Sequence, residues 1–505
     1  MIAPGAGNLG RWRVADQVIL GLDIGTTSVK AGVIGAGRIG AGVMGAGFAQ
    51  SYATRRPQAG WAEQDPADWL RLTHAALAQL VPTLQRGTEF AAIGMTSQVN
   101  THVFVDAHGT PLLPAMTWQD GRAQAEAAEL DAQISPAQKV AWWGAPLPVD
   151  ASHPLPRMLW VQRHLPAIWE QTRWVMLPKD YVLLHLTGEA ASDALSNYGL
   201  VDQHQSHIPE LINLVPGAAA RLPALVGVTE VAGRMRDGGP LPGCPVACGT
   251  MDAWAGLLGC GGARAGTQIY LSGTSEILGI SSPHVTPTPG VVVFPEQSGV
   301  RLHAAPTQSG GEAALWLADV LGQPVAALSG MVADQPRSPA TPLFLPQLEG
   351  ERAPLWDASL RAAFLGLSRK TGAADLVRAV FEGVALSARH ARGPLRLSAG
   401  VSGEVMLCGG GGFASGHWAQ IRADVLGCTL QPLEGSEPGV LGAALIAAVA
   451  IGHHSGLEAA WAANARYGAP IVPDQTRRAL YDDLFGIYTE AIAQSDQITK
   501  RLARL

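Results

Sequence analysis

Asp252 stands in Gly249-Thr250-Met251-Asp252-Ala253-Trp254-Ala255-Gly256, a lone carboxylate closing an apolar run beside glycine and small residues. A carboxylate so placed can cap a helix N-terminus. It can also accept the proton of an attacking hydroxyl, as an aspartate does in kinase phosphoryl transfer. Two donor-rich turns flank it in sequence. In Gly21-Leu22-Asp23-Ile24-Gly25-Thr26-Thr27-Ser28-Val29-Lys30, Gly25 allows a sharp turn that presents N–H groups, and the three hydroxyls add more donors. Asp23 suits Mg²⁺, which takes one or two carboxylates together with phosphate oxygens. Ser272-Gly273-Thr274-Ser275 repeats the arrangement in the second half, and two such turns facing each other would clamp a polyphosphate. Each alone also fits a plain hairpin; the pair favours phosphate.

Gly409-Gly410-Gly411-Gly412 leaves a strand and enters a helix, where bare backbone can lie against a flat ring or a phosphate. A tight strand-to-helix crossing is the alternative. Four glycines in a row each cost about 0.5–1 kcal/mol against alanine in regular structure, which favours a ligand contact. Gly35-Ala36-Gly37-Arg38-Ile39-Gly40 fits a dinucleotide fingerprint, but glycines continue at Gly42, Gly45 and Gly47, and Arg55 and Arg56 stand where an acidic ribose partner belongs. A glycine-rich hairpin is expected there. No P-loop pattern is present. Cys244, Cys248, Cys260, Cys408 and Cys428 lack a second Cys/His pair at zinc spacing and predict buried small hydrophobes in a reducing compartment.

Short strands must position these groups. Val18–Leu22 predicts a strand running into the first turn, and Ser28–Ile34 its return. Asp65-Pro66 before Trp69, Leu72, Ala76 and Leu80 predicts a capped amphipathic helix. Ala92–Met95 and Val103–Val105 are further strands. The loop-rich run from Val215 to Pro245 marks a domain boundary, giving domains 1–243 and 244–505. Beyond it, strands at Pro245–Cys248, Gln268–Leu271 and Val405–Cys408 alternate with helices at Asp375–Arg389 and about Ser415–Leu426, the last stopped by Gly427. Two α/β domains with a duplicated architecture are expected.

The 505 residues would make roughly three domains at about 150 each, or two large ones. With 47% apolar and 15% charged residues the chain can bury sizeable cores. A formal charge of −6 argues against a general nucleic-acid or anionic-membrane binder, though not against an anion site built from backbone N–H groups. The longest apolar stretch, Val440–Ile451, is about twelve residues against the roughly twenty needed to span a bilayer. Asp23 and Lys30 interrupt the first apolar run, so no signal peptide is read and a cytoplasmic protein is expected.

Further segments are specific. Gly60-Trp61-Ala62-Glu63-Gln64-Asp65-Pro66, Trp118-Gln119-Asp120-Gly121-Arg122, Leu177-Pro178-Lys179-Asp180-Tyr181, Ser192-Asp193, Glu351-Arg352-Ala353-Pro354, Phe381-Glu382-Gly383-Val384-Ala385 and Leu441-Gly442-Ala443-Ala444 occur in order with the turns above. Together they resemble the FGGY carbohydrate kinases, nearest to the xylulokinase-like branch. The resemblance implies two actin/hexokinase-type (ribonuclease H-like) α/β domains with an interdomain cleft, and ATP-dependent, Mg²⁺-assisted phosphorylation of a sugar or polyol hydroxyl. It implies Asp252 as catalytic base and Asp23 as the metal-side acid. Gly25, Thr26, Thr27 and Lys30 with Gly273 and Thr274 would hold phosphates, and Gly410, Gly411 and Ser415 the adenosine. Gln98, Val99 and Asn100 with Asp252 would meet the acceptor.

Where xylulokinases carry Met-His after this Gln, the chain has Val99-Asn100, and where they carry Asn after the catalytic Asp it has Ala253. A pentulose is the first acceptor implied; another ketose, an aldonate or a polyol stays open. His102 reads either as a polyol contact or as a structural histidine. An actin-like ATPase without sugar transfer and a silent sugar-binding homologue are the other readings, and a homodimer is left open.

Overall fold

Val18-Ile19-Leu20-Gly21-Leu22 is apolar on both faces, and in the computed structural model it is the fully buried centre of a sheet. The structure describes residues 17–35, 47–83, 88–333, 336–434 and 437–502. The Gly/Ala-rich leader and the glycine-rich hairpin expected over 36–46 lie outside the described residues.

Elements run in chain order as β1 (Gln17–Ile24), β2 (Ser28–Gly35), β3 (Gly47–Ser51), α1 (Pro66–Leu80), β4 (Glu89–Ser97), α2 (Pro178–Thr187), β5 (Val231–Arg234), β6 (Pro245–Ala247), β7 (Thr250–Met251) and α3 (Asp252–Gly259). They continue as β8 (Gln268–Ser272), β9 (Glu276–Ser282), β10 (Val292–Val293), β11 (Arg301–Thr307), α4 (Gly311–Leu321), α5 (Ala373–Ala399), β12 (Val405–Gly409), α6 (Gly416–Leu426), β13 (Thr429–Pro432) and α7 (Pro438–Ala450).

Two compact units form. The first holds residues up to Gly259 with Phe294–Ser298 and Gly435–Arg466; the second holds Cys260–Val293, Gly299–Glu434 and the chain from Tyr467. The division therefore falls at Gly259, not at Gly243 as the loop-rich run suggested. That run contains the edge strand β5, which pairs with β6, and β6 and β7 then pair with β4. Strands so committed by ladder hydrogen bonds stay with the first sheet.

In the first unit the strand order is β5-β6-β4-β1-β2-β3, with β7 beside β4. β2 is antiparallel to β1, and β4 parallel to it. Asp65 caps α1 through Ala67 N at 3.0 Å, and Trp69, Leu72, Ala76 and Leu80 bury the face the spacing predicts. α7 lies on β1, β4 and α3 with backbone against backbone. A Cβ on Gly21 would sit 2.1 Å from the Val440 carbonyl oxygen, one on Gly94 1.8 Å from that of Ala443, and one on Gly442 1.9 Å from that of Ala255. Much of the glycine in these segments serves this close packing.

The second unit repeats the plan. Its order is β10-β11-β9-β8-β12-β13, with β9 antiparallel to the central β8 and β12 parallel to it. α5 is longer than the periodic stretch Asp375–Arg389, because Leu395, Ser398 and Ala399 continue its buried face past Pro394. Ser415 caps α6, and Gly427 ends it in the left-handed region at φ 61°. Among the described residues no single helix is long and apolar enough to cross a membrane.

Candidate active site

The register of the first sheet brings three strand ends to one level. Asp23 of β1 pairs with Thr96 of β4, Thr250 of β7 pairs with the same Thr96, and Met251 with Ser97. Asp23, Gln98 and Asp252 thus leave the sheet together at its carboxyl edge, where open α/β sheets bind ligands. Asp252 opens α3, and its Oδ1 accepts from Ala253 N at 2.7 Å, a contact to the next residue. Gly249 lets β7 approach: φ is 71°, and a Cβ would sit 1.9 Å from the Met95 carbonyl oxygen.

Asp23 is half-buried as a residue, but its Oδ1 is out of solvent and has no hydrogen-bond partner. Burial first, then the charges of Asp252 and Glu437, push its pKa up to about 7, while Lys30 pulls it down. Lys30 Nζ itself pairs with Glu437 Oε2 at 2.9 Å, so its head group is engaged at the start of α7. A buried acceptor with no donor is what a divalent cation satisfies. Among the described residues no group of three or more His, Cys, Asp and Glu gathers as a metal site. Asp23 therefore fits the magnesium role.

A stability effect follows. A carboxyl whose folded pKa exceeds its unfolded value contributes stability below the unfolded pKa, near 3.8, and loses it as pH rises through about 7. Asp23→Asn is expected to raise the melting temperature of the ligand-free protein at pH 8 and to differ little from wild type at pH 4. The difference is on the order of 3–4 kcal/mol. Millimolar Mg²⁺ should raise the wild-type melting temperature at pH 8 but not that of the variant; identical pH profiles for the two proteins would contradict this account.

Both turns spend their carbonyls inward and leave amides outward. In the first, Gly25 N donates to Ser28 O at 3.0 Å, Tyr52 Oη donates to Gly25 O, and Gln64 Nε2 donates to Thr26 O at 2.8 Å. Trp118 Nε1 donates to Thr26 Oγ1 at 2.9 Å. In the second, between β8 and β9, the first amides of α4 take the carbonyls: Gly311 N to Gly273 O at 2.9 Å and Glu312 N to Thr274 O at 3.0 Å. Among the described residues, the N–H groups of Thr26, Thr27 and Thr274 donate to no protein acceptor. Such turns attract anions without adding net charge.

The glycine run divides its labour. Gly410, at φ 96°, would put a Cβ 2.4 Å from Ser272 O, and Gly412 would put one 2.0 Å from Ser272 Oγ; both are packing positions. Gly411 faces open space, with nothing within 4 Å of a Cβ. Arg422 fastens the run to the second turn: fully buried, it pairs with Glu276 at 2.6 Å and donates to Gly412 O. Ser415 is otherwise engaged, its Oγ accepting from Trp418 N at 3.2 Å and bonding Ser329 Oγ at 2.6 Å. Ser415 caps α6 through the bond from Trp418 N.

Of the acceptor residues, Gln98 is a buried connector: Nε2 donates to Gln64 Oε1 at 2.7 Å and Oε1 accepts from Thr101 Oγ1 at 3.1 Å. Val99 and Asn100 are half-buried beyond it. His102 is structural. Burial and the Arg157 charge push it well below the usual imidazole range, and its Nδ1 faces Arg157 Nη1 at 2.9 Å.

Residues 18–259 match the N-terminal domain, and residues 269–451 the C-terminal domain, of the FGGY family of carbohydrate kinases. The chain belongs to the FGGY family of carbohydrate kinases. It is similar to a xylulose kinase of Klebsiella pneumoniae, 30% identical over 446 residues covering 86% of this chain and 90% of the relative. The xylulose kinase of Escherichia coli (strain K12) is 29% identical over 447 residues, 85% of this chain and 90% of its own. Among solved structures, a "xyloylose kinase" from Brucella ovis superposes with a TM-score of 0.83 at 28% identity, covering 95% of this chain and all of the other. Like its family, this FGGY kinase is an ATP-dependent carbohydrate kinase of two α/β domains.

One cluster of this FGGY kinase carried only a family resemblance in sequence and no physical reading. Lys179, wholly buried, pairs with Asp180 at 2.6 Å and Asp193 at 2.8 Å. Asp193 in turn accepts from Thr250 Oγ1 at 2.8 Å, and Lys179 N donates to Ser97 Oγ at 3.2 Å. The cluster therefore ties α2 to β4 and to the strand just before Asp252. Its sequence signal was a Lys-Asp pair inside the apolar run from Leu177 to Leu186.

Proposed function

We propose that this kinase transfers the γ-phosphoryl group of ATP to a hydroxyl of a small ketose, a pentulose first. The observation that carries the reading is the placement of Asp23 and Asp252 at one sheet edge, in the same unit as a turn whose free amides suit phosphate. Asp252 accepts the proton of the acceptor hydroxyl as its oxygen bonds to the γ-phosphorus. The bond from that phosphorus to the bridging oxygen breaks, and ADP leaves with the electron pair. In the first unit the amides of Thr26 and Thr27 suit phosphoryl oxygens; in the second, the amide of Thr274 suits a phosphate and the open face at Gly411 a nucleoside. Mg²⁺, held by Asp23 and phosphate oxygens, would neutralise charge on the triphosphate.

The xylulose kinases it resembles put pentuloses first among acceptors. A coupled ADP-release screen over pentuloses, hexuloses, aldonates and small polyols tests the assignment. ADP release that requires a sugar supports it; phosphate release indifferent to every acceptor would make the protein an ATPase instead. Gly411→Val fills the open face and is expected to weaken nucleotide binding by about tenfold or more, since a branched side chain would stand where the ligand lies. Calorimetry with ADP measures it, and unchanged affinity would make the whole glycine run a packing device.

A further inference from the structure

Asn100 follows the end of β4 with φ at 52°, in the left-handed region that asparagine tolerates better than most residues. Its side chain is ordered by a directional chain of hydrogen bonds. Ser152 Oγ donates to Asp150 Oδ1 at 2.6 Å, and Ser152 N donates to the same oxygen at 2.8 Å. A carboxylate only accepts, so the single hydroxyl proton of Ser152 is committed to it. The hydroxyl oxygen must then accept, and it does so from Asn100 Nδ2 at 3.1 Å. One Nδ2 hydrogen is thereby engaged and the amide's orientation is set, with Oδ1, which makes no hydrogen bond among the described residues, left to accept.

The backbone of Asn100 is pinned separately. Arg157 is fully buried, and no carboxylate among the described residues ion-pairs with it. Its guanidinium donates to the carbonyls of Asn100, Met116, Thr117 and Ala151 and to Nδ1 of His102. It thereby joins the segment after β4 to the segment that leads into Trp118.

We propose that Asp150, acting through Ser152, fixes Asn100 as a hydrogen-bond acceptor for one hydroxyl of the sugar, while Arg157 holds its backbone in place. This rests on the reading of Asn100 as part of the acceptor site. Asp150, Ser152 and Arg157 are positioning residues. A sugar whose hydroxyl donates to Oδ1 is preferred over one that points that hydroxyl elsewhere. Breaking the chain at Asp150 or Ser152 erases the preference without touching the nucleotide.

The test measures kcat/KM at saturating ATP for D-xylulose, L-xylulose, D-ribulose, L-ribulose, xylitol and glycerol. In Asp150→Ala, which removes the acceptor that commits the Ser152 proton, and in Ser152→Ala the ratio between the best and second-best acceptor is expected to fall about tenfold or more, with KM for ATP within about twofold of wild type. Ser152→Thr, which keeps the hydroxyl, retains the ratio within about threefold. Adding Asp150→Ala to Asn100→Ala produces no further loss, because the two act as one unit. A common reduction for all acceptors, or an unchanged ratio, overturns the proposal. If wild type phosphorylates only the polyols, the pentulose reading falls and the relay is judged on xylitol against glycerol. Turnover of none of the six overturns both.

Discussion

Asp252→Asn is expected to fold, to bind ATP and sugar, and to lose between about 10²- and 10⁴-fold in kcat, the range a positioned general base contributes. Folding is expected to survive, since an asparagine keeps the Oδ1 that accepts from Ala253 N. The pairing of β7 with β4 and the buried Lys179 cluster hold the backbone there without help from the side chain. The substitution also removes a charge that pushes Asp23 upward. The ligand-free variant should therefore be no less stable than wild type at pH 8. Single-turnover ADP formation beside a thermal melt separates the two effects. A variant that melts normally and still turns over would remove Asp252 from the mechanism.

Gly94→Ala is expected to prevent the first unit from folding. The new methyl would stand 1.8 Å from the Ala443 carbonyl oxygen, and neither partner can yield. β4 is held between β1 and β6, and α7 rests on the sheet through several such contacts. Overpacking in ordinary cores costs about 1–3 kcal/mol, and a clash with main chain on both sides exceeds that. Insoluble expression, or a melting temperature lowered by about 10 °C or more, is the expected result. Gly393→Ala is the control: it lies in α5 with nothing within 4 Å of a Cβ, so alanine should stabilise by about 0.5–1 kcal/mol. Soluble, wild-type-like Gly94→Ala protein would mean the sheet and α7 are not in backbone contact.

Local chemistry was readable before any coordinates. Asp65 before Pro66, Gly427 after α6 and the two glycine-hydroxyl turns are decided by residues within a few positions of one another, and each stands where its spacing implied. Asp252 stands at the start of α3, at the strand-to-helix junction its sequence run implied. What stayed hidden depends on distant partners. The division at Gly259 follows from strand pairing with β4, more than 150 residues earlier in the chain. The hydroxyl of Ser415 is used by Ser329, 86 residues away, which no local spacing announced. Arg157 gave no sign at all, because a buried cation served by carbonyls makes no ion pair among the described residues to betray it.

The return of α7 to the first sheet has a practical corollary for dissecting the protein. Severing the chain once, after Gly259, would strip the N-terminal piece of the helix that covers β1 and β4, and leave that helix dangling from the other piece as exposed greasy surface. Neither half should be obtainable alone by simple truncation. Co-expression of the two pieces, or a rearranged gene that grafts 437–466 onto the end of the first, is the route by which an isolated acceptor-side module could be made soluble.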